Sequence, residues 1–421
     1  MGKLRFLFAI VFVCQCIGCT RLEVSPVSTP TTSGIKFYGE EVGNILKSFE
    51  GTQDGGYVFG GYTNTSAIHP SKGFIQKCDK DGNIEWYKYY GGSFQNQFNV
   101  VHATSDGGYI AAGSTNSFGN GIVRQDFYKD AYLVKTDANG DIKWQKPYGN
   151  VKDDGFYDVA ETPDHGFVAV GILNDPIYNN CTYVVKTDQK LDTLWTRVLY
   201  KGFYKSLGTS VAVQPNGNIG IAGYVVKSDF AIDQDTDYSA FILLSADGKD
   251  LDYQNAASPY PEYKNWGSVI NVFDFYVRTE KIIYRPDGFI FAVNLYPAPF
   301  SVMLFKVGFT GNVIWHHPYF GLGGAFLNDA VNNAEGGLLI SGGTTDARGN
   351  SYCWLLNTDP NGNKLWETNV STGINTSVAA GAAPSVNSSG VGVFLITPQA
   401  KHANFFGFLN VDQNGKIIEN K

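Results

Sequence analysis

Short apolar runs alternate with polar turns along most of the chain. In the stretch 106–149, an apolar run follows Asp106-Gly107-Gly108, and a second apolar run at 131–134 comes after a loop. The segment 142–146, Ile-Lys-Trp-Gln-Lys, then alternates apolar and polar residues, which is typical of a half-exposed β-strand. No stretch keeps a period of 3.6 residues, so little helix is expected. The pattern therefore predicts short antiparallel strands joined by tight turns.

Three landmarks recur along the chain. The first is a polar turn of the Asp-Gly-Gly-Tyr type, the second is a turn with Asp and Gly three positions apart, and the third is a Trp four residues after that Gly. Steps of about 50 to 60 residues between successive copies match one four-stranded propeller blade. Copies of the polar turn begin at Asp54, Asp106, Asp164, Pro215, Pro286, Glu335 and Ser388, and the Trp residues are Trp86, Trp144, Trp195, Trp315 and Trp366.

Seven copies of the turn predict an all-β fold, a seven-bladed β-propeller of four-stranded blades. Six or eight blades fit the pattern less well. The segment 34–39 resembles an outer strand without the rest of its blade, and the last repeat ends at 416–421. We therefore expect the N-terminal strand to pair into the last blade and close the ring, which removes exposed sheet edges. The Trp residues, and the Tyr residues four positions after them (Tyr90, Tyr148 and Tyr319), are expected to pack between blades.

The first 33 residues have the layout of an export signal and a tether. Lys3 and Arg5 precede an apolar run that is too short to span a bilayer. The following Cys16-Ile17-Gly18-Cys19 resembles a bacterial lipobox, with a small residue before Cys19. We predict a signal peptide at 1–18, a lipidated Cys19 with a Ser/Thr/Pro-rich tether at 19–33, and the propeller at 34–421. An ordinary signal peptide cut nearby is the alternative.

This layout predicts an exported protein that is anchored to the bacterial membrane only by its lipid. The outer membrane is the favoured location, and both its periplasmic and its surface leaflet are compatible with the sequence.

The repeat resembles that of a group of exported bacterial β-propeller proteins with Asp-Gly-Gly-Tyr and Gly-x-x-x-Trp landmarks, over about residues 34–421. It is similar, more distantly, to the tryptophan-docked propellers of quinoprotein dehydrogenases and of an outer-membrane assembly lipoprotein. In those proteins the Asp lies one residue further from the Gly. The resemblance implies the fold only, because function must come from a site.

Composition and motifs exclude several classes of function. The formal net charge of -7 does not fit a nucleic-acid-binding protein. No nucleophile elbow, phosphate-binding loop or zinc-protease spacing occurs, so we predict no catalytic residues, no metal and no cofactor. The distant resemblance to quinoprotein dehydrogenases raises the question of a quinone cofactor. Those enzymes often carry two adjacent cysteines beside the cofactor, and the mature chain has no such pair, so a quinone is not expected. Cys78, Cys181 and Cys353 are far apart and are predicted to be buried apolar residues.

Function is then expected in the loops that do not repeat. In propellers, the loops between second and third strands and the loops between blades share one face. Here those loops are long and irregular, which is where binding residues concentrate. Asp235 also belongs to an alternating acidic run, but Tyr238 replaces the Gly that a calcium loop requires. The candidate ligand-binding residues are Asp126, Tyr128, Tyr178, Asp235, Tyr260, Tyr263 and Trp266.

Exposed aromatic residues among acids suit a protein or a glycan as partner. The sequence therefore predicts a monomeric, non-enzymatic scaffold that binds an envelope protein or glycan through this face. The alternative is a glycan-active enzyme, a hydrolase or lyase, with two carboxylates across the central funnel.

Overall fold

The computed structural model of the chain describes residues 36–38, 44–63, 70–119, 128–150, 152–177, 179–200, 203–229, 234–251, 268–269, 276–296, 301–309, 312–370, 378–384, 391–398 and 404–418. All regular elements within these ranges are strands. In this part of the chain, no helix has the length and apolar character needed to cross a membrane. The predicted signal peptide, Cys19 and the tether lie outside the described residues.

The strands follow one another as antiparallel meanders. In chain order they are β1 (Lys36–Tyr38); β2 (Asn44–Gly51), β3 (Tyr57–Thr63), β4 (Gly73–Cys78) and β5 (Ile84–Tyr90); β6 (Asn96–Ala103), β7 (Tyr109–Thr115), β8 (Asp130–Thr136) and β9 (Ile142–Tyr148); β10 (Gly155–Glu161), β11 (Phe167–Asp175), β12 (Asn179–Thr187) and β13 (Thr193–Leu199); β14 (Lys205–Val213), β15 (Ile219–Asp229), β16 (Gln234–Leu244) and β17 (Ser268–Val269); β18 (Tyr276–Arg285), β19 (Gly288–Tyr296), β20 (Ser301–Val307) and β21 (Val313–Tyr319); β22 (Ala325–Asn332), β23 (Leu338–Thr345), β24 (Ser351–Thr358) and β25 (Lys364–Val370); β26 (Val378–Pro384), β27 (Val391–Pro398), β28 (Asn404–Val411) and β29 (Ile417–Ile418).

These strands form six sheets arranged as a β-propeller, which confirms the predicted all-β propeller fold. Four sheets are single four-stranded blades: β2–β5, β6–β9, β18–β21 and β22–β25. The eight-stranded sheet contains two consecutive meanders, β10–β13 and β14–β17, joined by one parallel pair between Asn180 and Lys205. The remaining sheet has five strands, β26–β29 and β1.

The N-terminal strand joins the last sheet, as the sequence predicted. β1 pairs antiparallel with β28, where Lys36, Phe37 and Tyr38 lie opposite Phe408, Gly407 and Phe406. The short strand β29 uses the same edge of β28, further along, at Asn410 and Val411. The short strands β1 and β29 therefore lie one after the other along the outer edge of β28.

Neighbouring blades pack together at the turn between the third and fourth strands of each blade. The ring of Trp86 lies so close to Gly140 that a Cβ at this position would come within 2.7 Å of the indole, and Gly140 has φ +77°. The hydroxyl of Tyr90 donates to the carbonyl oxygen of Gly140 at 2.7 Å. Gly140 is required for two reasons: its backbone is left-handed, and the Trp86 ring leaves no room for a side chain. Trp195, Trp315 and Trp366 pack in the same way on Gly248, Gly362 and Gly415.

The predicted packing roles are confirmed with one exception. Tyr148 and Tyr319 donate to the carbonyls of Leu191 and Gly362, as Tyr90 does to Gly140. Trp144 is the exception, because its side chain is 41% exposed and it belongs to no core cluster of the described residues. Cys78, Cys181 and Cys353 are buried, as predicted, and they form no disulfide with one another.

Deleting residues 36–38 should destabilise the whole domain, because β28 would lose the backbone partners of Phe406, Gly407 and Phe408. At about 1 kcal/mol per hydrogen bond, we expect a loss of roughly 2–4 kcal/mol in the free energy of unfolding, measured with urea. Deletion of 29–31 in the predicted tether is the matched control and should have no effect. An unchanged unfolding midpoint for the first deletion would contradict a role of β1 in closing the ring.

Candidate functional site

The first strand of each meander carries a β-bulge at nearly the same position. A bulge sets two residues opposite one on the partner strand and re-aims a side chain. Tyr157 and Asp158 are successive residues at such a bulge, and both line one cavity. The register shifts lie between Leu46 and Ser48, Phe98 and Val100, Phe156 and Asp158, Gly208 and Ser210, Thr279 and Lys281, Leu327 and Asp329, and Ala379 and Gly381.

That cavity, of about 500 Å³, lies on the axis of the propeller. Its walls come from β2, β6, β10, β14, β18 and β22, which are the first strands of six successive meanders. The residues at the bulges that face it are Lys47, Asn99, Tyr157, Thr209, Glu280 and Asn328. The ring thus presents one polar or aromatic side chain from each of six strands to the same space, which is the usual setting of a ligand site.

His102 bridges two carboxylates in the cavity. Its Nδ1 lies 2.8 Å from Glu50 Oε2, and its Nε2 lies 3.1 Å from Asp158 Oδ1. Burial by itself lowers the pKa of His102, but the two carboxylates outweigh burial and raise this pKa to about 10. His102 is therefore a cation at neutral pH and donates a hydrogen bond from each ring nitrogen.

Asp158 is the central residue of the charged network, because it contacts both His102 and Lys281. Its Oδ2 accepts hydrogen bonds from Ser210 Oγ at 2.9 Å and from the backbone nitrogen of Val211 at 3.0 Å. Burial raises the pKa of Asp158, but Lys281 and His102 outweigh it and hold this pKa well below its usual range. The side chain is only 5% exposed, so its charge depends on these partners rather than on water.

Lys281 lies between two carboxylates, with its Nζ 4.0 Å from Asp158 Oδ2 and 3.7 Å from Asp329 Oδ1. Burial lowers the pKa of Lys281, but Asp158 and Asp329 raise it overall. For Asp329 burial wins over Lys281, and its pKa is raised. Burial also raises the pKa of Glu280. Because they share one ammonium group, the carboxylates of Asp158 and Asp329 lie no more than about 8 Å apart, a spacing found in glycoside hydrolases.

Lys47 and Tyr157 are the cavity residues most open to a ligand. Lys47 is exposed, and the side chain of Tyr157 is 41% exposed. Within the described ranges, no ion pair or hydrogen bond engages the Lys47 ammonium or the Tyr157 hydroxyl. By contrast, Asn99 Nδ2 already donates to the carbonyl of Phe156, and Thr209 Oγ1 to that of Thr279.

Lys47 and Tyr157 lie at a different depth in the axial cavity from the charged network around His102. Lys47 and Asn99 precede Glu50 and His102 by three residues on their strands, which is about 10 Å. Each first strand begins at the face that carries the connections between blades. A ligand that enters from this loop-rich face therefore meets Lys47 and Tyr157 before it reaches His102.

The loop residues predicted as a site are only partly described. Tyr128 lies just before β8 and is 44% exposed. Asp235 lies on β16, opposite Ser228 of β15. The structure does not bring these two together with the axial cavity. The other candidates, Asp126, Tyr178, Tyr260, Tyr263 and Trp266, lie outside the described residues.

Close to Tyr128, the loop-rich face carries a carboxyl group with a shifted pKa. Asp154 accepts hydrogen bonds from the backbone nitrogens of Asn150 at 2.6 Å and Asn174 at 2.8 Å. Burial, helped by nearby Asp130 and opposed by these amides, raises the pKa of Asp154 to about 7. The face chosen from the sequence therefore contains an acid that changes charge near neutral pH.

The axial cluster was not predicted, although a signal for it exists. Asp158 and Asp329 each lie six residues before the acidic residue of the next polar turn, Asp164 and Glu335. Charged residues at a fixed position inside otherwise apolar first strands indicate groups that face the axis. No group of three or more metal-binding side chains occurs within the described ranges.

No protein-family model and no curated protein matches the chain. Solved structures resemble it in fold. An ulvan lyase from a new family of polysaccharide lyases has a TM-score of 0.55 at 8% identity, and the match covers 92% of this chain and 98% of that one. A puromycin hydrolase has a TM-score of 0.51 at 11% identity, covering 94% of this chain and 56% of that one. A quinohemoprotein alcohol dehydrogenase from Comamonas testosteroni has a TM-score of 0.47 at 10% identity, covering 92% and 77%.

At these identities the similarity shows the fold alone. Membership of a group of exported lipoproteins stays a prediction.

The His102 network predicts a pH-dependent stability. Because its folded pKa of about 10 lies above the unfolded value near 6.5, His102 stabilises the fold fully below pH 6.5 and loses this contribution as pH rises towards 10. Compared with His102→Gln, the wild-type protein should lose roughly 2–4 kcal/mol of unfolding free energy across that window.

Two measurements check this expectation: urea unfolding as a function of pH, and an NMR titration of the imidazole. Asp158→Asn removes one of the two carboxylates and should lower the pKa of His102. An imidazole that titrates near 6.5 in the wild-type protein would show that the carboxylates do not hold its proton.

Proposed function

We propose that the chain is an exported, lipid-anchored, seven-bladed propeller that binds an envelope protein or glycan without catalysis. The ligand approaches the loop-rich face and places a group in the axial cavity, against Lys47 and Tyr157. The observation that carries this proposal is the cavity of about 500 Å³, to which each of six inner strands contributes the residue at its bulge.

The blade count of seven rests on treating each meander as one blade. The eight-stranded sheet then counts as two blades, because its two halves share only the pair Asn180 and Lys205. With the four single-blade sheets and the sheet that contains β1, the total is seven. Each of the seven has its own bulged first strand, which supports this count.

The pairing of charges in the cavity favours binding over catalysis. A general base must be free to accept a proton at the working pH. His102 is already protonated and holds a carboxylate at each ring nitrogen. Lys281 lies between Asp158 and Asp329, so its charge is likewise engaged. Such a network orders the wall of a site and leaves recognition to the unengaged groups above it.

A glycan-active enzyme is the second candidate. It is favoured by the raised pKa values of Asp329 and Glu280 and by the short separation of Asp158 and Asp329. A carboxyl group with a raised pKa beside one with a lowered pKa is the arrangement that a glycosidase uses. The ulvan lyase that shares the fold is, by its name, a polysaccharide-degrading enzyme.

The double variant Lys47→Ala/Tyr157→Ala should reduce binding at least tenfold, because it removes an exposed ammonium group and an exposed aromatic ring from the cavity. The measurement uses the purified propeller, a glycan array and an envelope extract of the source bacterium. Lys80→Ala, at an exposed lysine paired with Asp81 in a turn, is the matched control and should bind normally.

Equal capture by the double variant and the wild-type protein would contradict the axial site. Depolymerisation of a glycan by the wild-type protein that is lost in Asp329→Asn would instead establish the enzymatic alternative.

The lipid anchor is testable in cells. Cys19→Ala should move the protein from the membrane fraction to the soluble fraction, because the lipid on Cys19 is the proposed anchor. Metabolic labelling with a fatty-acid analogue should be lost in the same variant, whereas Cys16→Ala should keep both properties. Unchanged partitioning of Cys19→Ala would refute lipidation at this residue.

A further inference from the structure

The repeat is broken at two glycine positions that lie close together. In the polar turns, Gly55 and Gly107 have positive φ angles of 83° and 79°, but His165 takes the equivalent position with φ 60°. In the second type of turn, Gly82 and Gly140 have φ +77°, but Leu191 takes that position with φ 64°. A side chain in this left-handed conformation is strained, and such strain concentrates at functional sites.

Leu191 stands where the other turns have glycine, and this residue changes the interface with the preceding blade. In four other copies, a Trp of the preceding blade packs on the turn glycine and joins a core cluster. Leu191 is fully buried and occupies this space, and Trp144 stays 41% exposed. The hydroxyl of Tyr148 still donates to the carbonyl of Leu191 at 2.6 Å. The blades therefore remain joined while the indole is free.

The exposed indole forms one wall of a cavity of about 550 Å³. The cavity is also lined by His165, the other residue that replaces a turn glycine, and by Gln189, two residues before Leu191. Lys190 Nζ lies 6.0 Å from the centre of the Trp144 ring, and Lys143, which pairs with Asp106 at 3.2 Å, also lines the cavity. Glu161 and Gln189 add acceptors and a donor at the rim. The turns that bear these residues lie on the face opposite the loop-rich face, so this is a separate site from the axial cavity.

The cluster of Ser105, Glu161 and His165 does not form a nucleophilic triad. Ser105 Oγ and Glu161 Oε1 both approach the same ring nitrogen, His165 Nδ1, at 3.3 and 3.4 Å. A relay needs the serine on one ring nitrogen and the carboxylate on the other. Ser105 Oγ instead donates directly to Glu161 Oε1 at 2.5 Å. These groups are thus suited to hydrogen bonding with a ligand rather than to acyl transfer.

We propose that this cavity binds a pyranose ring of a glycan, stacked on the exposed face of Trp144. An indole offers a large, rigid apolar face to the C–H side of a sugar, and the polar rim of Glu161, Gln189, His165 and Lys143 can bond to its hydroxyl groups. The volume suits one or two sugar units. The proposal goes beyond binding at the loop-rich face and does not depend on it.

The first test is fluorine NMR of the full propeller labelled with 5-fluorotryptophan, with the Trp144 signal assigned by Trp144→Phe. The probes are cellohexaose, N-acetylchitohexaose and an alginate hexasaccharide. At least one should shift the Trp144 signal in a saturable manner, while the signals of Trp86 and Trp315 stay in place. No shift of the Trp144 signal with any of the three would overturn the proposal.

Two variants separate binding from folding. Trp144→Ala should weaken binding at least tenfold and lower the unfolding temperature less than Trp86→Ala does, because Trp86 is packed in a core cluster and Trp144 is not. Leu191→Gly restores the repeat and should let Trp144 pack on the turn, so that binding is lost although the indole is present. Wild-type affinity in either variant would overturn the proposal. Lys47→Ala/Tyr157→Ala should bind these probes normally at this site, which distinguishes it from the axial cavity.

Discussion

The contact between neighbouring blades depends on one backbone carbonyl in the turn between the third and fourth strands. In five of these turns a side chain of the preceding blade donates a hydrogen bond to it. Three of the donors are tyrosines, and the other two belong to residues two positions after the Trp. The pairs are Tyr90 with Gly140, Tyr148 with Leu191, Arg197 with Gly248, Tyr319 with Gly362, and Thr368 with Gly415. The carbonyl is thus satisfied even where the donor changes, as expected if an unpaired buried acceptor costs about 1–3 kcal/mol.

The same constraint explains the spacing of the sequence landmarks. Gly140 receives Trp86 from the preceding blade, and Trp144, four residues later, points toward the turn of the following blade. One short motif therefore takes part in two interfaces, and a chain of such motifs specifies the order of the blades. The turn itself is pre-formed, because Asp137 Oδ1 accepts the backbone nitrogens of Asn139 and Asp141, both at 2.9 Å. Local turn chemistry and long-range packing thus select the same residues.

The fold could be predicted because its determinants are turn motifs that are visible in the local sequence, whereas the axial site depends on contacts between blades and on strand register. Gly140 and Trp86 are recognisable from sequence, since each copy has the same physical task. Glu50, His102 and Asp158 lie on three consecutive blades, and only the packing of neighbouring blades brings them within hydrogen-bonding distance. Nothing in their local sequence reports that distance. The bulges that turn Tyr157 and Asp158 toward one cavity are equally invisible, because they depend on strand register rather than on a turn motif.

The departures from the repeat are more informative than the repeat itself. Trp144 matches its relatives in sequence, and the expectation that it packs between blades is wrong because of Leu191, a residue of the next blade. The local motif around Trp144 is intact, so Trp144 is exposed only because the facing turn carries Leu191 in place of glycine. The same logic applies on the axis, where His102 is a cation only because Glu50 and Asp158 flank it from neighbouring strands. Both candidate sites therefore depend on residues that two neighbouring blades bring together, and the local sequence of one blade does not reveal them.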